Sequence, residues 1–451
     1  MNPEFERNLW LELRPGRMIV MTVVLALAFF AAALSQGFFA GPGEVARWGY
    51  FIIVVLWGAR NAANSVVGEI RAHTWDGQRL SSLSAGTMMW GKLFGSTAFN
   101  WFGGAICLVV ILAELVQEHG PGVAAIELVY YLAIGVIAQS AALLASLIAA
   151  GRRQARTQFE IFLYQATGLA AAVAVYVVWL IADPARSYLL HVERTDVVMW
   201  WGLACPAQPF LLLSMALFAG WMLTGCYRQM RLELKMRNGP LVWLAFLLFM
   251  GAYVAGFDAW LSGHPALTNL DAVALRLLLA GTVYGTLAYA MVFLEPKDRV
   301  RFRWLGSEFG RFHLGTVLAN LQGWMMSYLA AQAVGIALIV WLGRASLLQD
   351  QAIACAMLGF LTRDMGIVVL TNARKRGGDF TALAVLFLLY ALLPAIFASL
   401  HLTTGLALFT PRPTDPVWLS PLAGWAEALV VWIVAVAAIA LPEERAKPAA
   451  A

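Results

Sequence analysis

Residues 93–115 read LFGSTAFNWFGGAICLVVILAEL, a run of 23 positions with a single charged side chain, that of Glu114. A helix of about 20 mostly apolar residues spans the hydrocarbon layer of a bilayer, which is about 30 Å thick. Runs of this kind recur along the whole chain. They predict an all-α, polytopic membrane protein.

The composition supports the same class. Hydrophobic residues make up 61% of the 451 positions and charged residues only 13%, whereas a soluble domain has about 25% charged residues. No hydrophilic stretch is long enough for a soluble catalytic domain. We expect twelve spans, near residues 18–40, 48–67, 95–115, 124–150, 159–182, 208–227, 241–261, 272–294, 316–342, 352–371, 381–402 and 425–441.

The positions of Lys and Arg predict the orientation, because basic residues accumulate in cytoplasmic segments. With a cytoplasmic N-terminus, most of the 31 basic residues fall in segments that face the cytoplasm. Both termini are then cytoplasmic, in a bacterial-type inner membrane. The basic residues form a cytoplasmic collar that faces anionic lipid headgroups. The net charge of +5 therefore requires no nucleic-acid partner. The segments that face outward hold Arg47, Arg186, Arg194, Arg344 and Arg412.

Cysteine and histidine give no sign of a metal or cofactor site. The four cysteines, Cys107, Cys205, Cys226 and Cys355, are far apart, and no His-x-x-x-His pair occurs. We therefore expect no metal and no cofactor.

The stretch GTMMWGKL, residues 86–93, matches most of a phosphate-binding loop. A working loop follows a buried strand and places Ser or Thr after its lysine to hold magnesium. Leu93 occupies that place, and the helix that follows enters the membrane. The match is accidental, and we expect this chain to bind no nucleotide.

The larger segment GEIRAHTWDGQRLSSLSAGTMMWGKLFGS, residues 68–96, leaves the second span and enters the third on the cytoplasmic side. It resembles the signature of ABC-2 type permeases, the membrane subunits of one class of ABC transporter. In that family an acidic-basic stretch ends the second span, a short helix follows, and Gly-Lys opens the third span. The residues that carry the resemblance are Glu69, Arg71, Thr74, Trp75, Asp76, Arg79, Leu80, Leu83, Gly91 and Lys92.

The resemblance implies that residues 68–92 are a coupling helix that docks in a groove of a separate ABC ATPase subunit. Trp75, Leu80 and Leu83 would be the apolar face of this helix, and Asp76 and Arg79 its charged rim. The alternative is an interfacial helix that lies on lipid, with Trp75 as its anchor.

The second half repeats this plan. After the eighth span, the cytoplasmic stretch LEPKDRVRFRWLGSEFGRFHLG, residues 294–315, again leads into a long span. Residues 1–239 would form an ABC-2-like half and residues 240–451 a divergent repeat, so that the chain is a pseudo-dimer or assembles as a homodimer. An unrelated six-span extension is the alternative for the second half. The residues of the second coupling segment would be Glu295, Trp304, Leu305 and Phe309.

Ionisable and amide side chains inside the spans are costly in a bilayer and usually face the interior of the helix bundle. They predict either a polar path for a substrate or hydrogen bonds that fix the packing of helices. The residues concerned are Arg60, Asn61, Asn64, Arg363 and Asp364.

Taken with the resemblance, these features predict a permease subunit without catalytic residues, which moves an unknown substrate using ATP hydrolysed by a separate subunit. A twelve-helix secondary transporter driven by an ion gradient is the first alternative. A lipid-linked membrane enzyme is the second, although the first outer loop has only Glu44 in place of a paired acidic motif.

Overall fold

The computed structural model describes residues 2–34, 41–151, 158–182, 197–264, 267–374, 378–412 and 416–440. Nearly all of these residues are helical, and two short strands, Val197–Trp200 and Leu203–Pro206, pair with each other. The predicted all-α membrane fold is confirmed. The basic residues expected at 152–156, 186, 194, 375–376, 445 and 447 lie outside the described residues.

The chain divides into two compact units. The first comprises Met1–Val198 and Ala204–Asn238, and the second comprises Met199–Leu203 and Gly239–Ala451. The assignment of these halves as an ABC-2-like half and a divergent repeat stays a prediction.

The first unit contains ten α-helices and two π-helical segments among its described residues. The π-helical segments, Phe51–Trp57 and Gly91–Gly95, continue the helices before them. The α-helices are α1 (Pro3–Glu12), α2 (Pro15–Leu34), α3 (Pro42–Tyr50), α4 (Gly58–Arg71), α5 (Trp75–Arg79), α6 (Ala85–Trp90), α7 (Ala98–His119), α8 (Pro121–Gly151), α9 (Gln158–Ala182) and α10 (Ala207–Glu233).

The second unit is also mainly helical in its described part, apart from strand and turn residues at Met199–Leu203 and its loops. A π-helical segment, Leu388–Leu392, and a 3-10 helix, Thr403–Leu408, interrupt its α-helices. The α-helices are α11 (Leu241–Ala255), α12 (Asp258–Ser262), α13 (Ala272–Leu294), α14 (Arg299–Gly310), α15 (Leu314–Asn320), α16 (Gly323–Arg344), α17 (Leu348–Arg374), α18 (Asp379–Phe387), α19 (Leu393–Ser399) and α20 (Leu419–Ala440).

Eleven helices within the described ranges are long and apolar enough to cross a membrane, judged by length and composition. They correspond to every predicted span except the seventh. There the apolar helix α11 has 15 residues, about 22 Å of rise, which is less than the roughly 30 Å of a hydrocarbon layer. The predicted length of the seventh span, 241–261, is wrong because the helix ends at Ala255.

The ninth predicted span, 316–342, is two helices instead of one. The Glu295 carboxylate accepts hydrogen bonds from the backbone N–H groups of Gly323 at 3.0 Å and Trp324 at 3.2 Å. It thereby satisfies N–H groups that have no partner within the first turn of a helix. This cap starts α16 at Gly323 and separates it from the short helix α15.

Close helix packing holds the first unit together. The Tyr50 hydroxyl donates to the backbone carbonyl of Tyr131 at 2.7 Å. At Gly135 of α8, an added Cβ would lie 2.8 Å from the Trp101 ring and 2.9 Å from Val54. Small residues let helix backbones approach closely where a bilayer provides no hydrophobic force between them.

In the second unit, α17 is the central helix, and residues 358–369 are all buried. It packs along α20 at a point where both helices carry glycine. A Cβ added to Gly359 would lie 3.0 Å from the backbone carbonyl carbon of Gly424. A larger side chain at Gly359 would therefore force the two backbones apart.

Candidate functional site

The predicted coupling segment is not one continuous helix. The second span ends at Arg71, and His73 takes a left-handed conformation with φ of 56°. The Thr74 N–H then bonds to the Glu69 carbonyl at 3.0 Å, as in a helix C-cap closed by a left-handed residue. After the five-residue helix α5 the chain turns again, and the Ser84 hydroxyl caps α6 by accepting from the Thr87 N–H at 3.1 Å.

The expectation that Trp75, Leu80 and Leu83 share one exposed apolar face is wrong. Only 5% of Trp75 is exposed, and its ring packs in a core cluster with Met88 and Met230. Leu80 follows the end of α5 and is 88% exposed, while Leu83 is half-buried. Spacing along a sequence cannot tell whether an apolar side chain faces its own bundle or a partner.

A charge network lies beside helix α5 and includes two of the predicted residues, Glu69 and Lys92. The Lys92 ammonium is buried, bonds to the Glu69 carboxylate, and lies 3.5 Å from the Glu4 carboxylate. The Arg7 guanidinium joins the two acids, at 2.8 Å from Glu4 and 2.9 Å from Glu69. The network holds two cations and two anions, so it is neutral when all four groups are ionised.

Lys92 is held from several directions. Its ammonium donates to the Ser65 carbonyl at 3.3 Å and lies 5.1 Å from the centre of the Trp75 ring. Burial lowers the pKa of Lys92 from its ordinary value, although the Glu69 and Glu4 carboxylates act in the opposite direction. The buried lysine thus links the second span, the turn and the start of the third span.

The N-terminal helix α1 belongs to this site and was not predicted as part of it from the sequence. Glu4 and Arg7 of α1 supply half of the charge network. Gly91 makes the approach possible, since a Cβ there would lie 2.5 Å from the Glu4 Cγ and 2.8 Å from the Phe5 nitrogen. The sequence PEFER at residues 3–7 carries the signal, with charges three residues apart on one helical face.

Helix α5 is also attached to the end of the sixth span. Arg79 donates from Nε to the backbone carbonyl of Glu233 at 2.9 Å and lies 3.2 Å from the exposed carboxylate of Asp76. The Thr74 hydroxyl donates to the Glu69 carbonyl at 3.3 Å. Two nitrogens of Arg71, Nε and Nη2, are buried without a hydrogen-bond partner among the described residues.

The residues that match a phosphate-binding loop do not form a loop in the structure. Residues Ala85–Trp90 are α-helical and Gly91–Gly95 are π-helical, and the lysine side chain bonds to carboxylates of its own fold. A phosphate-binding loop needs free backbone N–H groups around the anion, whereas these N–H groups lie within helices. This geometry supplies no phosphate cradle at residues 86–92.

The predicted second coupling segment falls on α14 and its flanks. Trp304 and Phe309 are exposed, Leu305 is buried, and Glu295 serves as the cap of α16. Arg299 and Arg303 donate to the carbonyls of Ala438 at 2.8 Å and Ile439 at 2.6 Å. These carbonyls end α20, where they lack partners inside the helix. The basic residues thus cap the last span, and the coupling role of this segment stays a prediction.

In the first unit, two buried amides, Asn100 and Gln139, and the half-buried amide of Gln165 bond to the π-helical segment Phe51–Trp57. Asn100 donates to the carbonyl of Ile53 at 2.9 Å, Gln139 to that of Val54 at 3.0 Å, and Gln165 to that of Leu56 at 3.0 Å. A π-helical turn disturbs the ordinary backbone bonding of a helix, and these three amides satisfy the displaced carbonyls.

Of the polar residues predicted in the second span, only Asn61 joins this set, donating to Asn100 at 2.9 Å. Arg60 and Asn64 are exposed on the first unit. The structure therefore does not bring Arg60, Asn61 and Asn64 together around one buried path.

The other two predicted residues, Arg363 and Asp364, are fully buried in α17 and form an ionic cluster. Arg363 donates from Nε to Asp364 at 2.9 Å and from Nη1 to Glu427 of α20 at 2.6 Å. The hydroxyls of Tyr289 and Tyr390 each donate to the second oxygen of Asp364 at 2.6 Å.

An open groove of about 400 Å³ adjoins this cluster, and its surface is apolar. Its lining residues are Arg363, Ile367, Leu389, Ala426, Glu427, Val430 and Val431. Tyr289, Tyr390 and Glu427 were not predicted as site residues from the sequence. Glu427 had a visible signal, because it is the single charged residue in the apolar run of the last span.

No family model matches this chain, and neither a curated protein nor a solved structure matches it. Within the described ranges, no three His, Cys, Asp or Glu side chains are grouped to hold a metal ion. The two charged clusters, one in each unit, are the candidate sites of the described residues.

Proposed function

We propose that the chain is the membrane permease subunit of an ABC transporter and moves a substrate across a bacterial-type inner membrane with ATP hydrolysed by a separate subunit. The observation that carries the proposal is the turn Asp76–Leu80 and its attachments. Its outer side chains, Asp76 and Leu80, are exposed, whereas its inner side chains are fixed in the bundle.

A coupling segment must pass a force from a soluble partner to the spans, so its base has to be rigid. Trp75 is anchored in the core, Lys92 ties the segment to α1 and α4, and Arg79 ties it to the end of α10. Movement of the turn would therefore displace the second, third and sixth spans together. Buried, well-bonded charges resist local rearrangement because each lost bond leaves a costly unpaired group.

The proposed docking point is Leu80 and the exposed residues beside it, instead of Trp75, which is buried. Apolar residues that become fully desolvated at the centre of an interface supply most of its binding energy. We therefore expect Leu80→Glu to weaken association with the ATPase subunit by on the order of 2 kcal/mol, which is about thirtyfold.

Affinity purification from the native membrane tests the proposal. The wild-type protein should co-purify with a subunit that contains a phosphate-binding loop, and the preparation should hydrolyse ATP. Leu80→Glu should lose most of both, whereas Leu203→Glu, the same change at an exposed leucine just before α10, at the end expected to face outward, should keep them. Wild-type protein that purifies from native membranes without any ATP hydrolysis would contradict the proposal.

A secondary transporter driven by an ion gradient is the second candidate. The cluster of Arg363, Asp364 and Glu427 favours it, since ionisable residues inside spans are typical of ion pathways. A transport assay in which an ionophore abolishes uptake while ATP depletion does not would support this candidate over the first.

Orientation belongs to the same proposal. Both termini are cytoplasmic only if the number of crossings is even, so α11 must cross in addition to the eleven longer helices. A bilayer can thin locally around a short apolar helix at modest cost. Cysteine accessibility at both termini measures this directly.

A further inference from the structure

The α15 segment, residues 309–320, comprises the end of α14, a turn and helix α15. Helix α15, every residue of which the structure describes, contains no buried residue. Leu314 and Leu318 lie four residues apart on one side of this helix and are 51% and 59% exposed. Phe309 and Phe312 are exposed as well. The segment therefore presents a set of large apolar side chains that no other described part of the chain covers.

Hydrogen bonds tie both ends of the segment to the ends of spanning helices. Through two arginines, α14 bonds to the last carbonyls of α20. Arg301 of α14 donates to the carbonyl of Asn320, the last residue of α15, at 2.8 Å. Gln322, just before α16, donates to the carbonyl of Pro296, just after α13, at 2.8 Å. Because α13, α16 and α20 are all long and apolar enough to cross a membrane, their ends lie near its surface, and the segment lies there too.

The sequence of α15 is unlike that of a helix in water. Residues 314–343 contain no Asp, Glu, Lys or Arg. Helix α16 alone has 22 residues, about 33 Å of rise, which already crosses a hydrocarbon layer of about 30 Å. Helix α15 is thus uncharged sequence beyond what the span needs. A helix at a water-facing surface carries charged or polar residues on its outer side, whereas α15 exposes two leucines and no charge.

The turn before α15 has an aromatic residue where glycine is favoured. The φ of Phe312 is 59°, and the His313 N–H bonds to the Glu308 carbonyl at 3.0 Å, which closes α14 as a Schellman motif. Glycine usually holds the left-handed position of this motif, since a bulky side chain is strained there. Phe312 is also 85% exposed. In water the exposed ring would add a second cost to the strained backbone, whereas aromatic rings are favourable at a membrane interface.

A cation stands beside this ring. Arg311 precedes Phe312, its side chain is 67% exposed, and its guanidinium lies 3.7 Å from the Glu308 carboxylate. That carboxylate also bonds to Nδ1 of His313 at 2.8 Å. An exposed arginine next to exposed aromatic rings suits the boundary of a membrane, where the guanidinium reaches lipid phosphates and the rings meet the acyl chains.

We propose that the α15 segment is a membrane anchor that lies in the headgroup layer of the phospholipid leaflet beside the second unit. Its exposed phenylalanines and leucines contact the upper part of the acyl chains, and Arg311 contacts lipid phosphates. The anchor holds the link between α13 and α16 against the bilayer. It goes beyond the permease function and does not depend on an ATPase.

A groove of a soluble subunit fits this surface less well than lipid does. A helix that docks in a groove presents one face to it. Trp304 and Phe309, two of the residues predicted for a second coupling segment, lie about 140° apart around α14, and Leu305 between them is buried. The exposed apolar side chains are spread over α14, the turn and α15. A lipid layer covers such a set because it conforms to the protein surface.

Fluorescence quenching in vesicles of phosphatidylcholine and phosphatidylglycerol tests the proposal on the full-length protein. In a cysteine-free background, a single cysteine at Leu318 carries a bimane label. Lipids brominated on the upper part of their acyl chains quench a label in the membrane, and iodide, added to both sides of the vesicles, quenches a label in water. Leu27, within α2, is the membrane reference, and Arg237, exposed between α10 and α11, is the water reference.

We expect brominated lipid to quench the label at position 318, as it quenches the label at position 27. Iodide should have little effect at position 318, whereas it should quench the label at position 237. Both results follow from a helix α15 that lies in lipid instead of water.

Phe312→Gly separates anchoring from a structural role, because glycine suits the left-handed backbone while the ring is lost. In this variant the label at position 318 should lose much of its quenching by brominated lipid and gain quenching by iodide. Phe380→Gly removes a comparably exposed ring at the start of α18 and should leave the label at position 318 unchanged. Unchanged quenching of both kinds in Phe312→Gly would contradict an anchoring role for Phe312.

Two results in folded, inserted protein that retains Phe312 would overturn the proposal. Iodide quenching at position 318 as strong as at position 237, with no quenching by brominated lipid, would place the segment in water, open to a soluble partner. Protection from both quenchers would show that a second copy of the chain covers it. Neither result bears on co-purification with an ATPase, so the anchor and the permease function are tested separately.

Discussion

Lys92→Met removes one cation from the charge network of the first unit while keeping a side chain of similar length. Lys92 is 1% exposed, and its partners Glu69 and Glu4 have side-chain exposures of 18% and 5%. The change leaves two carboxylates with Arg7 as the remaining cation of the network. Arg7 is 46% exposed, so water screens its compensation.

The loss of one partner from a buried pair costs about 3–5 kcal/mol, because the other charge stays buried and unpaired. Water reaches part of Glu69, so we expect the lower end, about 3 kcal/mol. Arg17→Ala is the matched control. It breaks the Arg17–Glu12 pair, whose side chains are 50% and 28% exposed, and it should cost less than about 1 kcal/mol.

Unfolding in mixed detergent micelles, followed by tryptophan fluorescence, gives the free energies. Adding Glu69→Gln to Lys92→Met should restore part of the loss, since the second change removes one uncompensated carboxylate. A cost for Lys92→Met no larger than that for Arg17→Ala would refute the buried network. A double variant that is additive would refute the coupling between Lys92 and Glu69.

Four further outcomes follow from the structure. Folding lowers the pKa of Lys92, so the unfolded state binds more protons than the folded state between that lowered value and the ordinary lysine pKa of about 10.4. The stability of the wild-type protein should therefore rise with pH in this window relative to that of Lys92→Met, as measured by the same unfolding assay. Gly91→Ala should cost about 1–3 kcal/mol by pushing α1 away, measured as a lower thermal midpoint. Trp75→Ala should cost about 3–5 kcal/mol of folding stability as a core truncation, and a stability unchanged by this substitution would contradict its burial. In a cysteine-free background, a cysteine at Leu203 should react with an impermeant thiol reagent in intact cells and one at Met236 should not; the reverse pattern would contradict the cytoplasmic N-terminus.

The fold class could be predicted from the sequence because a bilayer leaves few alternatives. Long apolar runs must be helical there, since backbone groups in lipid have to bond within their own segment. Run length alone was less reliable for α11, where the apolar stretch continues past the helix end at Ala255, and for α16, whose start depends on the Glu295 cap.

The candidate site was predicted only in part, because its partners are far apart in the chain. Glu69 and Lys92 both stood out in the sequence, but nothing in their spacing indicates that Glu4 and Arg7 complete the network. The same holds for Glu427, which is 64 residues from Arg363. The exposure of Trp75 was predicted wrongly since an amphipathic pattern does not specify which surface covers its apolar side.

Site-specific photocrosslinking at position 80 in native membranes tests the central claim most directly. A crosslinking amino acid at Leu80 should capture a subunit that contains a phosphate-binding loop, whereas the same amino acid at Leu203, an exposed residue of the outward-facing end expected for α10, should not. Adducts at position 80 that contain only lipid, with the protein folded and inserted, would contradict the proposed coupling to an ATPase and favour an interfacial turn.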